Sequence, residues 1–165
     1  MNEQRKVSVL FVCTGNICRS PTAEGVFKHD VAAAGLADKI KVHSAGTHDY
    51  HVGEAPDPRA QQAAARRGYD ISRLCGRQVI RRDFKEYDYV LAMDEVNVRY
   101  LKRLCPAENA HKLKLLMEFA PESAAREVPD PYAGAASDFE RVLDLVEEAS
   151  KGLLEHIQAQ LDQNP

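Results

Sequence analysis

Cys13 and Arg19 are separated by five residues in the run Cys13-Thr14-Gly15-Asn16-Ile17-Cys18-Arg19-Ser20-Pro21. A loop of that length can curl until its backbone N–H groups point inward at the oxygens of one tetrahedral anion. Arg19 adds a planar fork of donors, the bidentate geometry an oxyanion accepts. Cys13 sits at the bottom of the curl, among donors and positive charge that favour a thiolate. A thiolate in that position attacks phosphorus directly. Gly15 and Asn16 tolerate the positive φ that so tight a cradle demands. Ser20 can donate its hydroxyl to the thiolate and later to the leaving sulfur. Thr14, Ile17 and Cys18 complete the loop whose amides would hold the anion. Taken alone, the Cys-x5-Arg spacing also fits a buried cysteine at a strand end and an ordinary surface arginine. The flanking elements decide between the two.

Ahead of the loop stands Val7-Ser8-Val9-Leu10-Phe11-Val12, mostly β-branched and apolar and too short for a helix. It reads as a strand buried on both faces. Behind the loop, Ser20 as N-cap and Pro21 at the first helical position open a helix expected to run to about Ala34. Val26, Phe27 and Val31 face inward and Gly35 stops it. Strands are expected at about Ile40–Ser44, Tyr89–Met93 and, more weakly, Leu113–Leu116. Asp57-Pro58 starts a helix that ends at Gly68, and a short helix is expected near Arg82–Glu86. Asp94 caps a helix stopped by Pro106. Ser137-Asp138-Phe139-Glu140 reads as a capping box. It opens a long last helix with Phe139, Val142, Leu143, Val146, Ala149, Leu153, Ile157 and Leu161 at helical spacing. Strands alternating with helices predict a parallel sheet with helices on both faces. Ligands of such sheets sit beyond the carboxyl ends of the strands, where the Cys13 loop falls.

The 165 residues suit one domain, and a 44% hydrophobic content supports a core. Net charge is −3, with 22 basic and 25 acidic residues well mixed, which argues against a nucleic-acid footprint. The polar start Met1–Lys6 does not read as a signal peptide, and no apolar stretch approaches membrane length. A cytoplasmic protein is expected, with its four cysteines as thiols. They lack paired C-x-x-C spacing, and the six histidines are scattered, so neither a metal site nor a cofactor is expected.

The run VLFVCTGNICRSPTAE resembles the signature of the low-molecular-weight protein tyrosine phosphatases. HSAGTHDY, YDYVLAMDEVN and DPYAGAASDFERV follow in that family's order, so the resemblance spans nearly the whole chain, residues 1–165 as one such domain. It implies a three-layer α/β/α fold with a four-stranded parallel sheet, flavodoxin-like. It also implies hydrolysis of protein phosphotyrosine and aryl phosphates through a phosphocysteine. The anion in the loop would be phosphate or a similar oxyanion. If the source is bacterial, the resemblance points to an autophosphorylating tyrosine kinase as partner.

That chemistry needs an acid for the leaving oxygen that then serves as base for water. Asp130, in Pro129-Asp130-Pro131-Tyr132, is the candidate. By spacing alone it reads more readily as a solvated turn aspartate; the match of Asp130-Pro131-Tyr132 to the family's acid loop reverses that in favour of the catalytic role. Tyr50 and Tyr132 can wall a cleft deep enough for a phenyl phosphate and too deep for phosphoserine, and the resemblance places both at the rim. Ala133 stands where the family often has a second tyrosine. Cys18 lies close enough in the loop to form a disulfide with an oxidised Cys13, a switch the resemblance supports; a small packing residue is the other reading. Asn16 and Ser44 are expected to hold the loop's shape, Asp94 to act as a cap, and His48 to sit in the loop near the cleft. The rivals are an arsenate reductase, a non-catalytic phosphotyrosine-binding module and a flavin-phosphate binder. The first needs further cysteines after the third strand, where Met93-Asp94-Glu95 stand instead.

Overall fold

The computed structural model describes residues 6–163. The polar segment 1–5, with the expectation attached to it, lies outside them. Four strands are present: β1 (Val7–Cys13), β2 (Ile40–Gly46), β3 (Tyr89–Ala92) and β4 (Leu113–Leu115). They form one parallel sheet in the order β2-β1-β3-β4. Among the described residues five α-helices accompany them: α1 (Arg19–Ala33), α2 (Pro58–Arg66), α3 (Asp83–Glu86), α4 (Glu95–Leu104) and α5 (Ala136–Gln163).

The apolar run of β1 alternates between two cores. Val9, Phe11 and Cys13 point into a cluster with α1, α2 and α5. Leu10 and Val12 point into the opposite cluster with Phe84 of α3 and Val98 and Leu101 of α4. A strand covered on both faces needs no polar face, which is why its sequence is continuously apolar from Val9 to Cys13. In β3, Tyr89 and Leu91 join the first core and Val90 and Ala92 the second. The result is the three-layer, flavodoxin-like α/β/α arrangement.

Boundaries differ where side chains have other work. The first helix starts at Arg19, with Cys18 as an N-cap that makes no side-chain bond. Ser20 does not cap it, because its hydroxyl is turned to the Cys13 sulfur at 3.0 Å. At α2 the Asp57 carboxylate accepts from the Arg59 amide, and Pro58 opens the helix. Asp94 caps α4 in a reciprocal box with Asn97. The last helix starts at Ala136, before the expected Ser137 cap. Asp138 reaches back to the Ala135 amide at 2.7 Å and takes the role expected of the Ser137–Glu140 pair. Gly152 of α5 packs so close to the backbone of Phe119 that a Cβ there would lie 1.8 Å from the Phe119 carbonyl oxygen.

From β1 the chain crosses to β2 on one side, then passes back over β1 to β3 on the other. The crevice left by that reversal is at the carboxyl end of β1. Cys13 is the last residue of β1 and opens into it.

Candidate active site

The segment from Cys13 to Arg19 is a curled loop ending at the N-terminus of α1. Asn16 is the only non-glycine among the described residues with positive φ, +57°. That turn lets the Asn16 amide donate to Cys13 Sγ at 3.3 Å. The Asn16 side chain acts as a staple from below. Its Nδ2 donates to Ser20 Oγ at 2.7 Å and Ser44 Oγ at 3.0 Å, and its Oδ1 accepts from the Arg77 amide at 3.1 Å. Ser44 Oγ in turn donates to the carboxylate of buried Glu24 at 2.6 Å. Ser20 Oγ accepts from Asn16, so its single hydrogen can go to Cys13 Sγ at 3.0 Å, the nearer of its two acceptors, the Ala45 carbonyl being 3.4 Å away. The outer side of the loop is tied as well: Thr14 Oγ1 accepts from Asn97 Nδ2, and the Ile17 carbonyl accepts from the Asp57 amide. The amides of Gly15, Ile17 and Cys18 meet no protein acceptor among the described residues. They sit at the positive end of a fifteen-residue helix, a combination suited to an anion.

Arg19 lies under this loop with its side chain 3% exposed. One terminal nitrogen, NH1, is fixed by Asp94 Oδ2 at 2.6 Å and by the Val128 carbonyl at 3.0 Å. The other, NH2, lies 3.9 Å from Asp130 Oδ2. Burial works against the guanidinium charge, but Cys13, Asp94 and Asp130 outweigh it and raise the Arg19 pKa. Asp94 is thus both the helix cap expected from the sequence and the group that aims Arg19. The Cys18 thiol is pushed up to about 12 by burial, then by the charges of Asp57, Cys13 and Asp130. It stays protonated at neutral pH.

Cys13, Thr14, Gly15, Ile17, Cys18, Arg19, Tyr50, His51, Asp130 and Tyr132 enclose a cavity of about 270 Å³. Asn16 and Ser20 are absent from its wall; both are buried behind it as supports. Asp130 is 55% exposed, and its Oδ1 accepts from the Tyr132 amide at 3.1 Å. Tyr50 and Tyr132 stand at the mouth, both exposed. Arg59 braces Tyr132: it donates to the Tyr132 carbonyl at 2.9 Å and lies over the Tyr132 and Phe139 rings. In turn it is held by Asp57, whose carboxyl it keeps below the usual range. His48 lines no part of the cavity. It stacks on Tyr50 with ring centroids 5.1 Å apart, so it buttresses the rim.

Three contributors were not legible in the sequence. His51 lines the cavity and pairs with Glu54 at 2.9 Å. A Cβ on Gly15 would come within 3.1 Å of the His51 ring, so a side chain here would push that ring outward; the positive φ expected of Gly15 is not adopted, because Asn16 takes the tight turn of the loop instead. Glu24 and Arg59 are the others. The only foreshadowing of Glu24 is a polar residue on the inward face of a helix that starts at a loop.

A cradle closed around a buried sulfur defines a class, the α/β proteins that hold a phosphate-like group against a cysteine. Residues 8–163 match the family described as low molecular weight phosphotyrosine protein phosphatase, and the chain belongs to that family. It is 44% identical over 157 residues to a low molecular weight protein-tyrosine-phosphatase of Streptomyces coelicolor, covering 93% of this chain and 95% of the relative. It is 40% identical over 161 residues to the human low molecular weight phosphotyrosine protein phosphatase, covering 94% and 98%. The structure superposes on a protein tyrosine phosphatase from Entamoeba histolytica, solved with Hepes in its active site. That match has a TM-score of 0.91 at 38% identity and covers 94% of this chain and 99% of that one.

Proposed function

We propose that the protein is a phosphotyrosine phosphatase acting through Cys13, Arg19 and Asp130. The Cys13 thiolate forms a sulfur–phosphorus bond as the bond from phosphorus to the tyrosyl oxygen breaks. Protonated Asp130 gives its proton to that oxygen, and tyrosine leaves. The Asp130 carboxylate then takes a proton from water, the water oxygen attacks phosphorus, and the sulfur–phosphorus bond breaks to return the thiolate and release phosphate. The loop amides and Arg19 stabilise the equatorial oxygens where charge develops. Ser20 supports the thiolate as it forms and leaves. The observation that carries this reading is the convergence of Cys13, Arg19 and Asp130 on one cavity with aromatic side chains at its mouth. Between Tyr50 and Tyr132 a phenyl ring can reach the sulfur, while the shorter phosphoserine stem cannot. Substrates of this chemistry are phosphotyrosine-bearing protein segments, among them those of a tyrosine kinase.

Two cysteines line the cavity, Cys13 and Cys18; Cys75 and Cys105 do not. An electron relay for arsenate reduction has no further thiol there. Among the described residues, no helix is long and apolar enough to cross a membrane.

The test is steady-state hydrolysis of p-nitrophenyl phosphate and of phosphotyrosyl and phosphoseryl peptides with EDTA present, for wild type and Cys13→Ser. EDTA-resistant turnover of the aryl esters alone, lost in the variant, is expected. Equal hydrolysis of phosphoserine would remove the deep-cleft argument. Turnover that persists in Cys13→Ser would remove the phosphocysteine.

A further inference from the structure

A second groove, about 530 Å³ in volume, runs away from the catalytic cavity between the acid loop and the first turns of α4 and α5. Asp130 belongs to both walls, so the two spaces adjoin at the group proposed to protonate the leaving tyrosine. A peptide whose phosphotyrosine fills the cavity must lay its backbone past Asp130. About three residues of extended chain span roughly 10 Å, enough to enter this groove.

The groove has a definite charge pattern. Of its carboxylates, Asp94 is paired with Arg19, while Glu127 and Asp130 each accept one amide hydrogen, from Glu95 at 2.7 Å and from Tyr132 at 3.1 Å. Its two cations, Arg126 and Arg141, are exposed and have no carboxylate partner among the described residues. Beside them Val96 stands 62% exposed, a large apolar side chain open to solvent. Two arginines without a carboxylate partner, beside an uncovered valine, suit a ligand with an anionic side chain next to an apolar one.

Resting on the phosphatase reading above, we infer that this groove is a substrate-peptide subsite. It receives an acidic residue within about three positions of the phosphotyrosine through Arg126 and Arg141. Neither arginine lines the catalytic cavity, so their effect falls on peptides and spares small aryl phosphates.

The experiment compares phosphotyrosyl peptides with Asp or Glu, Ala, or Lys at the flanking positions, placed on each side in turn, with p-nitrophenyl phosphate as the control. Wild type, Arg126→Glu, Arg141→Glu and the double variant are measured, with a thermal melt of each to establish folding. Exposed ion pairs are individually weak, so two of them predict roughly a five- to tenfold gain in kcat/KM for the acidic peptide. The gain is carried by KM, found on one side of the phosphotyrosine, and lost at high salt. In the double variant it disappears or inverts toward the lysine peptide, while p-nitrophenyl phosphate turnover stays within about twofold. Equal kcat/KM for acidic and alanine peptides in wild type would overturn the inference, as would a preference that survives in the double variant. A folded wild type that hydrolyses neither p-nitrophenyl phosphate nor any peptide instead overturns the phosphatase reading, and the subsite with it.

Discussion

From Cys13 to Ser20 the site is held by buried or half-buried partners: Asn16 by Ser20, Ser44 and Arg77, Arg19 by Asp94 and Val128, and Ser20 by the Cys13 sulfur. From Pro129 to Tyr132 the same cavity is walled by an exposed loop. Its carboxylate has one backbone bond, and its tyrosine is braced by Arg59 from outside. The two regions make different demands. An anion cradle must have its donors fixed before charge develops, since donors that move during reaction lose much of their advantage. A group that gives and takes protons must reach two different oxygens in sequence, and open access to solvent serves the second step. Side-chain hydrogen bonds are concentrated around the Cys13 loop, and solvent exposure is left beside Asp130.

The comparison breaks most sharply at the sulfur. Cys13→Ser is expected to lower kcat by roughly 10⁴-fold or more while vanadate-like anions still bind weakly to the intact cradle. Single-turnover quench with labelled substrate checks this, and a phosphoenzyme in the variant would contradict it. Asp130→Asn comes next, with kcat reduced about 10²–10⁴-fold. Ground-state binding and the melting temperature should be nearly unchanged, because the loop carries little of the fold. A drop of many degrees in that variant would show the acid loop to be as structural as the cradle.

Asn16→Ala moves both quantities. It strands the Ser20, Ser44 and Arg77 groups that Asn16 now satisfies, costing about 2–3 kcal/mol. In a chain of this size that lowers Tm by roughly 4–12 °C, and turnover falls as the loop loosens. An activity loss without a melting change would show that the staple serves chemistry alone.

The smallest effect comes from His43 of β2, next to Ser44 and bonded through Nδ1 to Tyr87 Oη at 2.7 Å. Burial lowers its pKa below the ordinary 6.5. The unfolded chain therefore takes up this proton more readily than the folded one. His43 contributes stability that is present above about pH 6.5 and is lost as pH falls toward the folded value. Melting curves from pH 7.5 to 5.5 should show a loss that His43→Asn reduces by ~1–2 °C. An identical slope in the variant would assign the acid sensitivity elsewhere.

Local information in the chain was enough to specify the strand, loop and helix around Cys13. The apolar run of β1, the Cys13–Arg19 spacing and the Asp57-Pro58 and Asp94 starts all act over a few residues, where propensity and capping operate. Asp130 was legible only through its motif, since an Asp-Pro turn carries no local sign of what it faces. The misplaced starts of α1 and α5 share one cause. Ser20 and Ser137 look like caps locally, but Ser20 is claimed by a sulfur seven residues back, and Asp138 competes successfully for the last helix. Tertiary structure alone decided that Asp94 aims Arg19 across 75 positions, that Glu24 anchors Ser44, that Arg59 braces Tyr132 from 73 positions away, and that His51 closes over Gly15. These pairings depend on which loops the sheet order brings to the carboxyl end of β1. Sequence-local chemistry wrote the cradle; the crossover at β1 chose its partners.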